Sequence, residues 1–150
     1  MIIIDTNALV VLIIGLIDPK LIKNHRRTSI YTIEDYNKLL LVIGDIGRLV
    51  VLPNIWTEVD NLLNNFIGYK YEYVVKISEI IKNTSEKYFE SELATNCEAF
   101  FDLGLTDTLI LECAKKCKLL ITSDSKLSDY AIANGILVYD MVKERNEKLN

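Results

Sequence analysis

Asp5, Glu58, Asp107 and Asp124 lie far apart in the chain, yet each stands against an apolar pattern that would carry its carboxylate inward. Carboxylates gathered in this way are the donor set of a divalent-metal site, because a buried charge is costly unless paired or bound to a cation. Asp5 ends the run Met1-Ile2-Ile3-Ile4, and Asp124 closes Leu119 to Ser123, so both fall where a buried strand would stop. Glu58 comes three residues after Ile55 and four before Leu62, within a stripe that also holds Val59, Leu63 and Phe66. Asp107 is three before Ile110, four before Leu111 and seven before Ala114, again an apolar helical face. Asp60 and Glu112 fall on the polar side by the same test. Each acid also has a plainer explanation: Asp5 and Asp124 as helix caps, Asp107 as charge in a first turn, Glu58 at a stripe edge. Four such placements at one end of one sheet favour the shared site.

The elements that must position these acids alternate strand and helix. Strands are expected at 2–4, 48–52, 119–122 and 136–139, and helices at 7–17, 32–46, 53–66, 69–82, 106–117 and 125–134, with a charged helix from Met141 onward. Thr32 with Asp35 forms a capping pair, Pro53 suits a first helical turn, Thr106 caps the helix of Asp107, and Gly135 is a stop. The stretch 84–101 reads as partly helical. Short buried strands between helices imply a mostly parallel sheet of four or five strands covered on both faces, a three-layer α/β/α sandwich. Ligands of such sheets bind at the carboxyl ends of the strands, where the strand order reverses.

With 150 residues, 50% hydrophobic and 25% charged, the chain fits a single domain over 1–150 with a sizeable core. The longest uncharged apolar run, residues 8–17, is well short of the roughly 20 needed to cross a bilayer, and the start lacks a basic leader. The expectation is a cytoplasmic protein with no membrane partner. Three cysteines, Cys97, Cys113 and Cys117, suit reduced thiols rather than a disulfide framework. A net charge of −4 argues against a broad nucleic-acid surface but not against a nuclease with an acidic pocket and a basic rim. Rim candidates are Lys20, Lys23, His25, Arg26, Arg27, Lys115, Lys116 and Lys118, although runs of charge are commonly solvated faces.

The opening Ile2-Ile3-Ile4-Asp5-Thr6-Asn7, the middle Leu52-Pro53 through Thr57-Glu58, the late Leu105-Thr106-Asp107-Thr108 and Leu120-Ile121-Thr122-Ser123-Asp124 resemble the PIN-domain ribonuclease family, in the same order and over nearly the whole chain. In size the chain is similar to the stand-alone toxins of toxin and antitoxin pairs, the VapC type. The resemblance implies a metal-dependent endoribonuclease using Mg²⁺ or Mn²⁺, with RNA as substrate, 5′-phosphate and 3′-hydroxyl products, an antitoxin protein as partner and a homodimer as assembly. Asp5, Glu58, Asp107 and Asp124 would be its catalytic and metal-binding acids. Thr6, Asn7 and Thr122 would support them, with Asp129 as an outer acid. The stretch 67–96 departs from a minimal toxin and reads as a helical insertion whose tyrosines, Tyr69, Tyr71, Tyr73 and Tyr88, could stack on RNA bases or serve as core.

Other motifs are weaker. Cys113 and Cys117, one turn apart, make half a metal site without a second pair and read as small buried side chains. His25 reads as solvated, and no Gly-rich phosphate loop is present. Alternative functions are an RNA-binding or scaffold module without activity, an RNA-processing or defence nuclease that is not a toxin, and a phosphohydrolase using Asp5 as nucleophile. The last normally wants an acid two residues on, where Asn7 stands.

Overall fold

The computed structural model describes residues 1–149. Three isoleucines in succession make β1 (Ile2–Ile4), and all three are fully buried, as only an inner strand covered on both faces can be. It pairs in parallel with β2 (Leu49–Val51) on one side and with β4 (Leu119–Thr122) on the other. Outside these lie β3 (Ser85–Glu86) and β5 (Val138–Asp140), giving one five-stranded, all-parallel sheet in the order β3-β2-β1-β4-β5. The chain moves outward from β1 through β2 to β3, then returns to the other side for β4 and β5. The order therefore reverses between β1 and β4.

α1 (Thr6–Ile17) is apolar around its whole circumference, and residues from Ala8 to Gly15 are buried without a break. Such a helix must be enclosed on all sides. The sheet covers one flank, and α2 (Leu21–Asn24), α3 (Ile33–Ile43), α4 (Pro53–Leu63) and α5 (Lys70–Asn83) pack around the rest. α6 (Ser91–Thr95), α7 (Phe100–Ala114) and α8 (Ser125–Ala133) belong to the connections that run back across the sheet and form its other face, with α7 packed on β1 and α8. The result is a three-layer α/β/α sandwich. α9 (Met141–Leu149) follows β5 and touches α3. Among the described residues no helix is long and apolar enough to cross a membrane.

Local signals explain most boundaries. Thr32 Oγ1 accepts from Asp35 N at 3.1 Å and Asp35 Oδ2 accepts from Thr32 N at 2.9 Å, a full capping box. α3 stops at Ile43 rather than at 46, because Gly44 turns the backbone to φ 71°, and a short 3₁₀ turn leads into β2. α4 begins at Pro53 as expected but ends at Leu63, with Phe66 buried in the following turn. The helical stretch at 67–96 holds α5 and α6 and, between them, β3, whose two polar residues carry no hydropathy signal. α5 doubles back on α4, and the Tyr73 hydroxyl donates to Asp60 Oδ1 at 2.7 Å, so the phenol ties the two helices together. α7 starts at Phe100, ahead of the expected 106, but its backbone breaks at Gly104 (φ 77°), and Asp107 lies just past the break. It ends at Ala114, short of 117.

Gly15 is the closest approach of α1 to its covering layer, since a Cβ there would stand 2.3 Å from the Tyr36 ring of α3. The ring is buried and cannot swing aside. Gly15→Ala is expected to destabilise the protein by about 1–3 kcal/mol despite the higher helix propensity of alanine; chemical denaturation checks this, and a stabilised variant would mean that the ring has room to move.

Candidate active site

The reversal of strand order places the ends of β1 and β4 side by side, and Asp5 and Asp124 follow those ends. Asp5 is 4% exposed and satisfied on both oxygens. Oδ1 accepts from Ala8 N at 2.9 Å, capping α1; Oδ2 accepts from Ser123 N at 3.1 Å and from the Thr122 hydroxyl. Thr122 is fully buried, and its Oγ1 also accepts from Asp124 N at 3.0 Å. The hydroxyl thus donates toward Asp5 while holding the backbone of Asp124. Asp124 caps α8 by accepting from Leu127 N at 2.9 Å.

The helical acids come from opposite layers. Thr6, first residue of α1, donates its hydroxyl to Glu58 Oε2 at 2.7 Å and fixes that carboxylate of α4 beside the end of β1. Asp107 arrives from α7 on the other face. Burial, then the negative charges of Asp124, Asp5 and Glu58, push its carboxyl up to about 7. Asp5 is pushed up to about 6 by burial and by Asp124, against the downward pull of its three hydrogen bonds. Four acids from four segments therefore share one electrostatic neighbourhood.

The supporting residues divide. Thr6 and Thr122 orient carboxylates as described, whereas Asn7 is exposed and its amide is bonded to none of them. Asp129 is exposed on α8 and lines a cleft with Ser123, Ser125, Ser128 and Asp140, and it is not among the charges that act on Asp107. Two residues escaped the sequence reading. Ser123 supplies a backbone N–H to Asp5, and its own buried Oγ has no hydrogen-bond partner among the described residues. Asp140 ends β5 as Asp5 ends β1, and the same strand-end rule would have found it; its Oδ1 is occupied by Val142 N and Lys143 N, both at 3.0 Å.

The basic rim is smaller than the sequence suggested. Lys118 N donates to Met1 O, so Lys115, Lys116 and Lys118 sit at the amino-terminal edge of the sheet, opposite the acids. His25 is half-buried rather than solvated, with Phe66 against its ring at 4.7 Å. Of the tyrosines, Tyr73 is core, while Tyr71 and Tyr88 are exposed. The three cysteines are free, with Cys113 buried.

Hard oxygen donors, an orphaned serine hydroxyl and mutually repelling carboxylates match the chemistry of Mg²⁺ or Mn²⁺. Among the described residues no three His, Cys, Asp or Glu side chains are grouped closely enough to hold a metal ion by themselves. Mg²⁺ is commonly held by one or two carboxylates with water and substrate phosphate completing the shell, so an open acid cluster fits it better than a closed cage.

No family model matches the chain, and no curated protein matches it. Among solved structures, a domain of a functionally unknown protein from Methanocaldococcus jannaschii DSM 2661 is similar at 16% identity with a TM-score of 0.47, over 93% of this chain and 89% of that one.

The raised carboxyls give a signed pH dependence. Asp5 and Asp107 bind protons more tightly folded than unfolded, so metal-free protein loses stability as pH rises from about 4 through 6 and 7. Melting in EDTA across that range should show Asp107→Asn gaining on wild type as pH rises, because the amide cannot acquire the repelled charge. Parallel profiles for the two proteins would mean that Asp107 does not feel the other acids.

Proposed function

We propose that the chain is a divalent-metal-dependent endoribonuclease. The observation that carries this is the convergence of Asp5, Glu58, Asp107 and Asp124 at the switch point of a parallel sheet, seen in the upward push on Asp107 by the other three. These carboxylates would hold Mg²⁺ or Mn²⁺, which when bound would supply positive charge opposite the scissile phosphate and lower the pKa of an attacking water.

The chain's own residues do the positioning. Asp5 is locked by Ala8, Thr122 and Ser123, which take both acceptor positions of Oδ2 and one of Oδ1 and leave a single position on Oδ1 for a cation, which suits an anchor. The same occupancy, with Asn7 turned to solvent, disfavours Asp5 as the nucleophile of a phosphohydrolase. Glu58 is aimed by Thr6, and Asp124 by the cap of α8 and its link to Thr122. Asp107, titrating near neutral pH, can take a proton or a cation as the site fills. Within this reading the chain is a PIN-type nuclease, and we assign it the toxin role of a toxin and antitoxin pair on the sequence resemblance.

Cleavage of single-stranded RNA with Mn²⁺, Mg²⁺ or EDTA tests the reading. Wild type should cut only with metal, Asp107→Asn should lose at least about a hundredfold, and Thr6→Val should lose about tenfold to a hundredfold by releasing Glu58. RNA binding with no cutting in any metal would instead establish an inactive binding module.

A further inference from the structure

An open cleft of about 450 Å³ runs beside α4 and takes no part in the acid cluster. One wall is Asn61, Asn65 and Phe66, from α4 and the turn after it; the facing wall is His25, Arg26 and Arg27, after α2. Asn61 and Leu62 follow Glu58 by three and four residues on one helix, so two of the lining residues stand about one turn, roughly 5 Å along the helix axis, from the position that carries Glu58.

Three features of the cleft fit one kind of ligand. Arg26 and Arg27 are exposed and pair with no carboxylate among the described residues, in a chain with a net charge of −4. Unneutralised guanidinium groups suit a phosphodiester. His25, Phe66 and Tyr69 form a row of rings, with centroids 4.7 Å and 5.4 Å apart, and Ile67 beside them is 93% exposed. His25 Nδ1 accepts from Arg27 N at 3.1 Å, which leaves Nε2 as the donor. Burial, with Arg27 and Arg26 nearby, lowers its pKa, so the ring is neutral and suited to contact with a base. The amides of Asn61 and Asn65 offer donors and acceptors to a base edge.

We infer that this cleft seats one unpaired nucleotide of an RNA strand next to the phosphate presented to the acids, with Arg26 and Arg27 on its phosphate and the aromatic row against its base. The inference rests on the nuclease reading of the neighbouring carboxylates and adds a nucleotide subsite built from Arg26, Arg27, His25, Phe66 and Tyr69. A base held in a duplex is stacked and paired and cannot enter such a cleft.

The test measures binding of a fluorescein-labelled, mixed-sequence single-stranded RNA in EDTA, on the full chain carrying Asp107→Asn so that nothing is cut. Adding Arg26→Ala with Arg27→Ala should weaken binding about tenfold or more and flatten its salt dependence. Lys116→Ala with Lys118→Ala, at the far edge of the sheet, should leave affinity unchanged. Photo-crosslinking of a thiouridine-substituted strand to the same parent protein should label the peptides carrying His25, Phe66 or Tyr69, a readout independent of how the arginine variant folds. Equal losses in both double variants, unchanged binding in the arginine variant, or labels confined elsewhere would overturn the cleft. Binding through the cleft by a wild-type chain that never cuts with Mn²⁺ would sink the nuclease reading alone, and Mn²⁺-dependent cutting with binding indifferent to Arg26 and Arg27 would sink the cleft alone.

Discussion

A carboxylate buried at the end of the central strand constrains everything around it. Asp5 sits among fully buried isoleucines and leucines, where an unsatisfied acid would cost several kcal/mol. Its three donors come from α1, from the end of β4 and from the residue after β4, so satisfying it fixes how α1 leaves the sheet and how β1 and β4 end relative to each other. The same bonds occupy three of its acceptor positions, and desolvation still holds it above the ordinary range. In the nuclease we propose, a cation held beside Asp5 and the three further acids would offset that cost.

Around that point the two covering layers have different tasks. The α1 side encloses an apolar helix that could not face water and also carries Glu58, held by Thr6 at the first turn of α1. The α7 side brings Asp107 in just after the Gly104 break, so the acid is delivered by a change of backbone direction rather than by a straight helix. The α4 and α5 pair, joined through Tyr73 and Asp60, extends the first layer beyond the acids, and α4 with the turn after it forms one wall of the Arg26 and Arg27 cleft. Strand order, helix enclosure and charge thus meet at one edge of the sheet.

Much of this was legible in the sequence because the signals were local and strong. Three isoleucines before Asp5, Pro53 at a first turn and the Thr32 and Asp35 pair each dictate their element through short-range physics. Helical spacing set Glu58 and Asp107 against the apolar sides of their helices, and both are partly buried in the fold. The edge strand Ser85–Glu86 was not legible, because it is polar and exists only by pairing with β2. Nor was the end of the sheet on which Lys115, Lys116 and Lys118 fall, which depends on helix direction in the fold. The Ser123 amide was hidden for another reason, since a backbone donor leaves no mark in residue type, and the His25 to Arg27 cleft needed α4 to fold against a distant loop.

The central claim is that four carboxylates act as one divalent-ion site, and titration of Mn²⁺ into the protein, followed by electron paramagnetic resonance of the free ion, tests it most directly. Wild type should remove Mn²⁺ from solution at neutral pH, with binding weakened on lowering the pH below about 6, where Asp5 and Asp107 hold their protons, and with Asp107→Asn and Glu58→Gln each reducing affinity. Binding that persists unchanged in both variants, or no binding by a folded wild-type chain, would contradict the account.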